Sequence, residues 1–100
     1  MNYLGIQNHL TDEVKLLKDS LDLSYEKLRL AQVSLRVYKE EKDLLDENKS
    51  VLKLSKEFII DDLMDLNDFF RERMLDIEEK ISITNKKINN INQTITNIQS

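Results

Sequence analysis

Leu44-Leu45-Asp46-Glu47-Asn48-Lys49-Ser50-Val51-Leu52 decides how this chain folds. Its polar middle, Asp46–Ser50, is the best candidate for a turn, because Asn and Ser favour turns. With a turn there, the chain is a two-helix hairpin. Without one, it is a single long helix. Phase favours the single helix. Leu44 to Val51 and Leu45 to Leu52 both keep a seven-residue interval across the polar stretch, and a loop has no physical reason to conserve helical phase. The expectation is an all-α protein, a long amphipathic helix forming an oligomeric coiled coil or helical bundle. A two-helix hairpin turning near residues 46–50 is the alternative.

Outward from that stretch the same pattern runs both ways. With Val14 as heptad position a, the apolar residues at a and d alternate three and four apart, the spacing of a coiled-coil seam. The expected oligomer interface begins with Val14, Leu17, Leu21, Leu28, Leu35, Tyr38, Leu45, Leu52, Ile59, Leu63, Leu66 and Phe70. It continues through Met74, Ile77, Ile81, Ile88, Ile91 and Ile95. Lys42, Lys49 and Lys56 fall at successive a positions and weaken the seam between them, although their stems can cover apolar surface. From Leu63 the spacing through Leu66, Phe70, Met74, Ile77 and Ile81 reads three, four, four, three, four. Two fours in succession are a stutter, which relaxes left-handed supercoiling. Beyond it isoleucine fills both core positions, which favours three- or four-stranded assembly. The tail over residues 82–100 has mediocre helix propensity and is expected to fray unless a partner packs on it.

A second stripe lies beside the seam. Leu16, Leu23, Leu30, Val37, Leu44, Val51 and Phe58 recur every seven residues at position c, about 200° around the helix from a. This is the expected second interface. Past Phe58 the same position carries Asp65, Glu72, Glu79, Lys86, Gln93 and Ser100. Residues 14–58 therefore ask for burial on two sides and residues 63–98 on one. The chain divides into an N-terminal segment (1–10), a two-faced bundle-forming helix (11–60) and a single-seam arm with an Ile/Asn-rich tail (61–100). Thr11, with Asp12 and Glu13 behind it, is the expected start of the long helix. Gly5 separates the apolar residues before it.

Charge is uneven. The net charge is −4. Between Asp61 and Glu79, however, eight acidic residues stand against Arg71 and Arg73, and no acidic residue follows. Asp61, Asp65, Asp68, Glu72, Asp76 and Glu79 keep helical phase and form a ridge opposite the seam, a candidate docking surface for a basic partner. The overall acidity argues against nucleic-acid binding, which needs a basic surface.

Residues that carry chemistry are missing. There is no cysteine, so no disulfide framework, zinc–thiolate site or thiol nucleophile arises. His9 is the only histidine, and no glycine-rich phosphate loop or Glu-x-x-His pair occurs. Carboxylates on a solvated helix are not raised toward acid catalysis. The expectation is no enzyme activity, no catalytic or metal site, no cofactor and no small-molecule substrate. Phe58-Ile59-Ile60 is the longest strongly apolar run, too short to span a membrane. Residues 1–10 lack the basic start and apolar core of a signal peptide. These features point to an intracellular, cytoplasmic protein that works on other proteins. The expected role is a structural oligomerisation, scaffold or tethering subunit, with itself or a hetero-coiled-coil partner. A compact helical-hairpin binding chaperone or adaptor for a partner helix is the alternative.

Overall fold

The computed structural model describes residues 2–99 and is all-α. Helix α1 spans Tyr3–Asp43 and helix α2 spans Ser50–Gln99, joined through a single 3-10 turn, Glu47–Lys49. The chain is thus the two-helix alternative and not one continuous helix. The reversal lies at residues 44–46, slightly ahead of the polar stretch. It uses neither glycine nor a positive φ. Asp46 is extended, with φ −66° and ψ 159°. Its carbonyl accepts from the Lys49 N–H at 2.9 Å, which closes the first turn of the return helix. Asp46 and Glu47 put negative charge at that N-terminus, where the helix dipole favours it.

The expected helix start at Thr11 is also corrected. α1 begins at Tyr3, and Thr11 lies within it, its hydroxyl donating to the Gln7 carbonyl at 2.8 Å. The cap is Asn2, whose Oδ1 accepts from the Gly5 N–H at 2.9 Å, an N-cap to N3 bond. Gly5 does not break the helix. One glycine costs only about 1 kcal/mol, and here the missing Cβ leaves room for the Asn2 amide, which would stand 2.7 Å from it.

Two compact units make up the chain: Met1–Leu23 with Met74–Ser100, and Ser24–Arg73. In the first, α1 and α2 pack antiparallel. Gln7 donates from Nε2 to Asn92 Oδ1, and Tyr3 and Leu4 share a small groove with Ile95 and Ile98. The tail over residues 82–99 is helical throughout and lies against α1; Ser100 is outside the described residues. In the second unit the helices again run antiparallel. Lys42 meets Glu57 at 2.8 Å and Lys56 meets Glu41 at 2.7 Å, bracketing the turn. Lys56 also lies 5.2 Å from the Tyr38 ring centroid, and Lys27 lies 6.0 Å from that of Phe70. Two of the three lysines expected to weaken the seam, Lys42 and Lys56, are therefore cross-helix partners, and Lys49 lies in the turn. Pairs this exposed are worth little. A double-mutant cycle of Lys42→Ala and Glu57→Ala is expected to return about 0.2–1 kcal/mol of coupling, shrinking in about 0.5 M salt.

Burial shows which residues form the seam. On α1 the buried or half-buried positions include Val14, Leu17, Leu21, Ser24, Leu28, Ala31, Leu35, Tyr38 and Lys42, the expected a and d positions. On α2 they are Lys53, Lys56, Ile60, Leu63, Asn67 and Phe70, then Met74, Ile77, Ile81, Thr84, Ile88, Ile91 and Ile95. That series alternates three and four without interruption, so the expected stutter does not exist. From Lys53 to Phe70 the seam sits one residue later than expected at every d position. Leu52, Ile59 and Leu66 are exposed, and Lys53, Ile60 and Asn67 take their places. The two helices fold separately around the turn, so phase need not carry across it. The seven-residue intervals Leu44–Val51 and Leu45–Leu52 are coincidental.

The resulting core is thin. Its buried apolar members are Val14, Leu28, Ala31, Ile60 and Ile77, and no described side chain is fully enclosed. Thr84 satisfies its hydroxyl by donating to the Lys80 carbonyl at 2.8 Å. Asn67 is 5% exposed and donates from Nδ2 to the Leu63 carbonyl, but its Oδ1 accepts no hydrogen bond.

Candidate docking faces

Most of the residues expected at an oligomer interface are used inside the hairpin. Val14, Leu28 and Ile77 are buried, and Leu17, Leu21, Leu35, Tyr38, Leu45, Leu63, Phe70, Met74, Ile81, Ile88, Ile91 and Ile95 are half-buried. Leu52, Ile59 and Leu66, at 50%, 38% and 44%, face solvent.

The second stripe is exposed along its whole length, from 41% at Val37 to 84% at Leu44. Leu16 and Leu23 belong to the first unit, and Leu30, Val37 and Leu44 to the second. Val51 and Phe58 are exposed as well. Given the observed α2 seam, helical geometry puts them on the back of that helix, so they do not extend the α1 stripe.

A groove marks one side of the seam in the second unit. It holds about 490 Å³ and is lined by Gln32, Leu35, Arg36, Lys39, Glu40 and Asp43 from α1, and by Met64, Asn67, Asp68 and Arg71 from α2. Its charged residues are three cations and three acids. The sequence reading missed it, because it needs two helix faces brought together by a turn. The wheel positions across the seam from the groove are Leu30, Val37 and Leu44 on α1 and Leu52, Ile59 and Leu66 on α2. The second unit therefore has one charged, grooved side, and on the other side an exposed apolar stripe on each helix, with Lys27, Ser34 and Glu41 between them.

The acidic ridge is exposed at all six positions, Asp61, Asp65, Asp68, Glu72, Asp76 and Glu79. Asp76 pairs with Lys80 at 3.1 Å, and Asp68 lines the groove. Elsewhere, Arg29 donates to Glu26 at 2.6 Å, and this hydrogen bond holds the Glu26 carboxyl below its usual range. Among the described residues no group of three or more His, Cys, Asp or Glu is placed to hold a metal ion. No helix among them is long and apolar enough to cross a membrane. No known protein family, characterised protein or solved structure matches the chain.

Proposed function

We propose that this chain is a structural subunit, a helical hairpin that scaffolds or tethers an assembly by packing an exposed apolar face against other helices. The exposed stripe carries the reading. Within the Ser24–Arg73 unit, Leu30, Val37 and Leu44 recur every seven residues on a helix whose a/d seam is already occupied, and Leu16 and Leu23 keep the same spacing in the other unit. Seven-residue spacing is the period that matches another helix, and exposed large apolar side chains repeated in this way favour an interaction site. Each Leu or Val fully buried there is worth roughly 1.5–3 kcal/mol.

The test is retention. Tagged chain, expressed in its own cells, is purified beside the Leu23→Glu/Leu30→Glu variant. Both substituted residues are solvent-facing, so helicity by circular dichroism is expected to persist. Proteins held by the wild type, further copies of the chain included, are expected to be lost from the variant. An unchanged set of retained proteins overturns the reading.

A second reading, a binding adaptor for a partner helix, is favoured by the groove. Leu35 and Met64 supply apolar lining among charges of both signs. Binding of that kind is sensitive to Met64→Glu and indifferent to the Leu23/Leu30 pair. The acidic ridge offers a further surface to a basic partner, whose affinity would fall with salt.

A further inference from the structure

We propose that α2 of the Ser24–Arg73 unit has a second register, reached by rolling about its own axis, in which Leu52, Ile59 and Leu66 replace Lys53, Ile60 and Asn67 in the seam. The roll hides the exposed apolar stripe of α2. It is internal to the hairpin and does not rest on the docking reading.

The two seams share a spine. Lys56, Leu63 and Phe70 are half-buried now and belong to both. Lys53, Ile60 and Asn67 flank that line on one side, and Leu52, Ile59 and Leu66, each one residue earlier, flank it on the other. One residue is about 100° on the helix, and with the spine kept the middle of the seam moves by only about half of that. The three outer residues already stand near its edge, since all are less exposed than Val51 and Phe58.

The exchange is even in number and favourable in polarity. Ile59 takes the place of Ile60, and two leucines take those of a lysine and an asparagine. Asn67, whose Oδ1 now accepts nothing, lines the groove, and the roll carries it outward on that side to water. Against the roll stands the spacing at its far end. Leu66, Phe70 and Met74 would be four and four apart, a stutter, where the present series runs unbroken. That stutter falls beside the boundary of the two units at Arg73 and Met74. At the near end the turn frees α2 from the phase of α1. The ion pairs Lys42–Glu57 and Lys56–Glu41 are made by long side chains, which follow a roll of this size. Two packings of one sequence, each with a defect that the other lacks, make a bistable element.

Single cysteines read the exchange, because the chain has none of its own. Ile59→Cys and Ile60→Cys are placed separately in the full chain and labelled with a thiol reagent. Ile60 is buried now and becomes exposed in the second register, which Leu66→Gln disfavours. The thiol of Ile60→Cys is therefore expected to label at least about threefold more slowly when the solvent-facing Leu66 is made glutamine, while that of Ile59→Cys does not slow. Asn67→Asp, which drives residue 67 outward, is expected to act oppositely, with faster labelling at residue 60 and slower labelling at residue 59. Global opening exposes both residues together and gives no opposite signs. Should Asn67→Asp lose helicity by circular dichroism, the Leu66→Gln comparison decides. Labelling at residue 60 that Leu66→Gln leaves unchanged or quickens overturns the second register. Rates at residues 59 and 60 that rise or fall together in either folded variant overturn it as well.

Discussion

Proline at Glu47 is expected to leave the hairpin folded and to raise its stability by about 0.4–1 kcal/mol. Proline at Lys53 is expected to cost about 3 kcal/mol or more. The two sites are only six residues apart. Glu47 is the first residue after the extended Asp46, so its N–H faces no intrahelical acceptor and its loss removes nothing. Asp46, at φ −66° and ψ 159°, already has the extended conformation that a following proline imposes. Lys53 lies within α2 and on its seam, where proline removes a hydrogen bond and its ring meets the preceding turn. Equilibrium urea unfolding at one protein concentration reads both. In a continuous helix the two substitutions would be equally damaging. Equal losses would therefore refute the turn.

The legible and illegible parts of this fold differ for one physical reason. Heptad reading works where the seam is apolar. On α1 every a and d position from Val14 to Tyr38 is buried or half-buried, polar Ser24 included, because apolar neighbours hold the register around it. The isoleucine tail from Met74 to Ile95 reads equally well. Between Lys53 and Phe70 the seam holds Lys53, Lys56 and Asn67, while Leu52, Ile59 and Leu66 stand one residue before Lys53, Ile60 and Asn67. Apolar identity there marks the outward apolar face, and a reader who follows leucine follows the wrong side. The turn is hidden in the same way. It carries no glycine, proline or positive φ, and it passes through an extended Asp46. The groove, which needs both helices, leaves no signal in either one alone.

That displacement also gives the candidate site its composition. Had α2 kept the phase of α1, Leu52, Ile59 and Leu66 would sit in the seam and the second face would be apolar on α1 alone. Shifting the seam by one residue gives α2 an apolar ridge to match. The displacement seats Lys53 and Asn67 where Leu52 and Leu66 would otherwise lie, and leaves those leucines and Ile59 exposed.

Asn67→Leu is expected to stabilise the chain by about 1–3 kcal/mol, raising the thermal midpoint on the order of 5–15 °C. Asn67 is 5% exposed, and only its amide nitrogen is satisfied, by the Leu63 carbonyl at 2.8 Å. Its Oδ1 accepts nothing, and a buried acceptor left unpaired costs about 1–3 kcal/mol. Leucine removes that cost and adds apolar burial worth roughly 1.5–3 kcal/mol. Against this stands overpacking, typically about 1–3 kcal/mol. It is reduced because the register of the Lys42–Glu57 and Lys27–Phe70 contacts puts small Ala31 level with residue 67. Register is affected too. A seam through Leu63, Leu66 and Phe70 would let Asn67 reach water and bury Leu66. It would also require the stutter and would expose Ile60, now 7% accessible. Asparagine thus narrows the gap between the two registers, and leucine at 67 widens it. The second readout is amide hydrogen exchange over residues 60–70, where slower exchange is expected in the variant. An unchanged or lowered midpoint with faster exchange in that stretch would mean that Asn67 is not held in the seam.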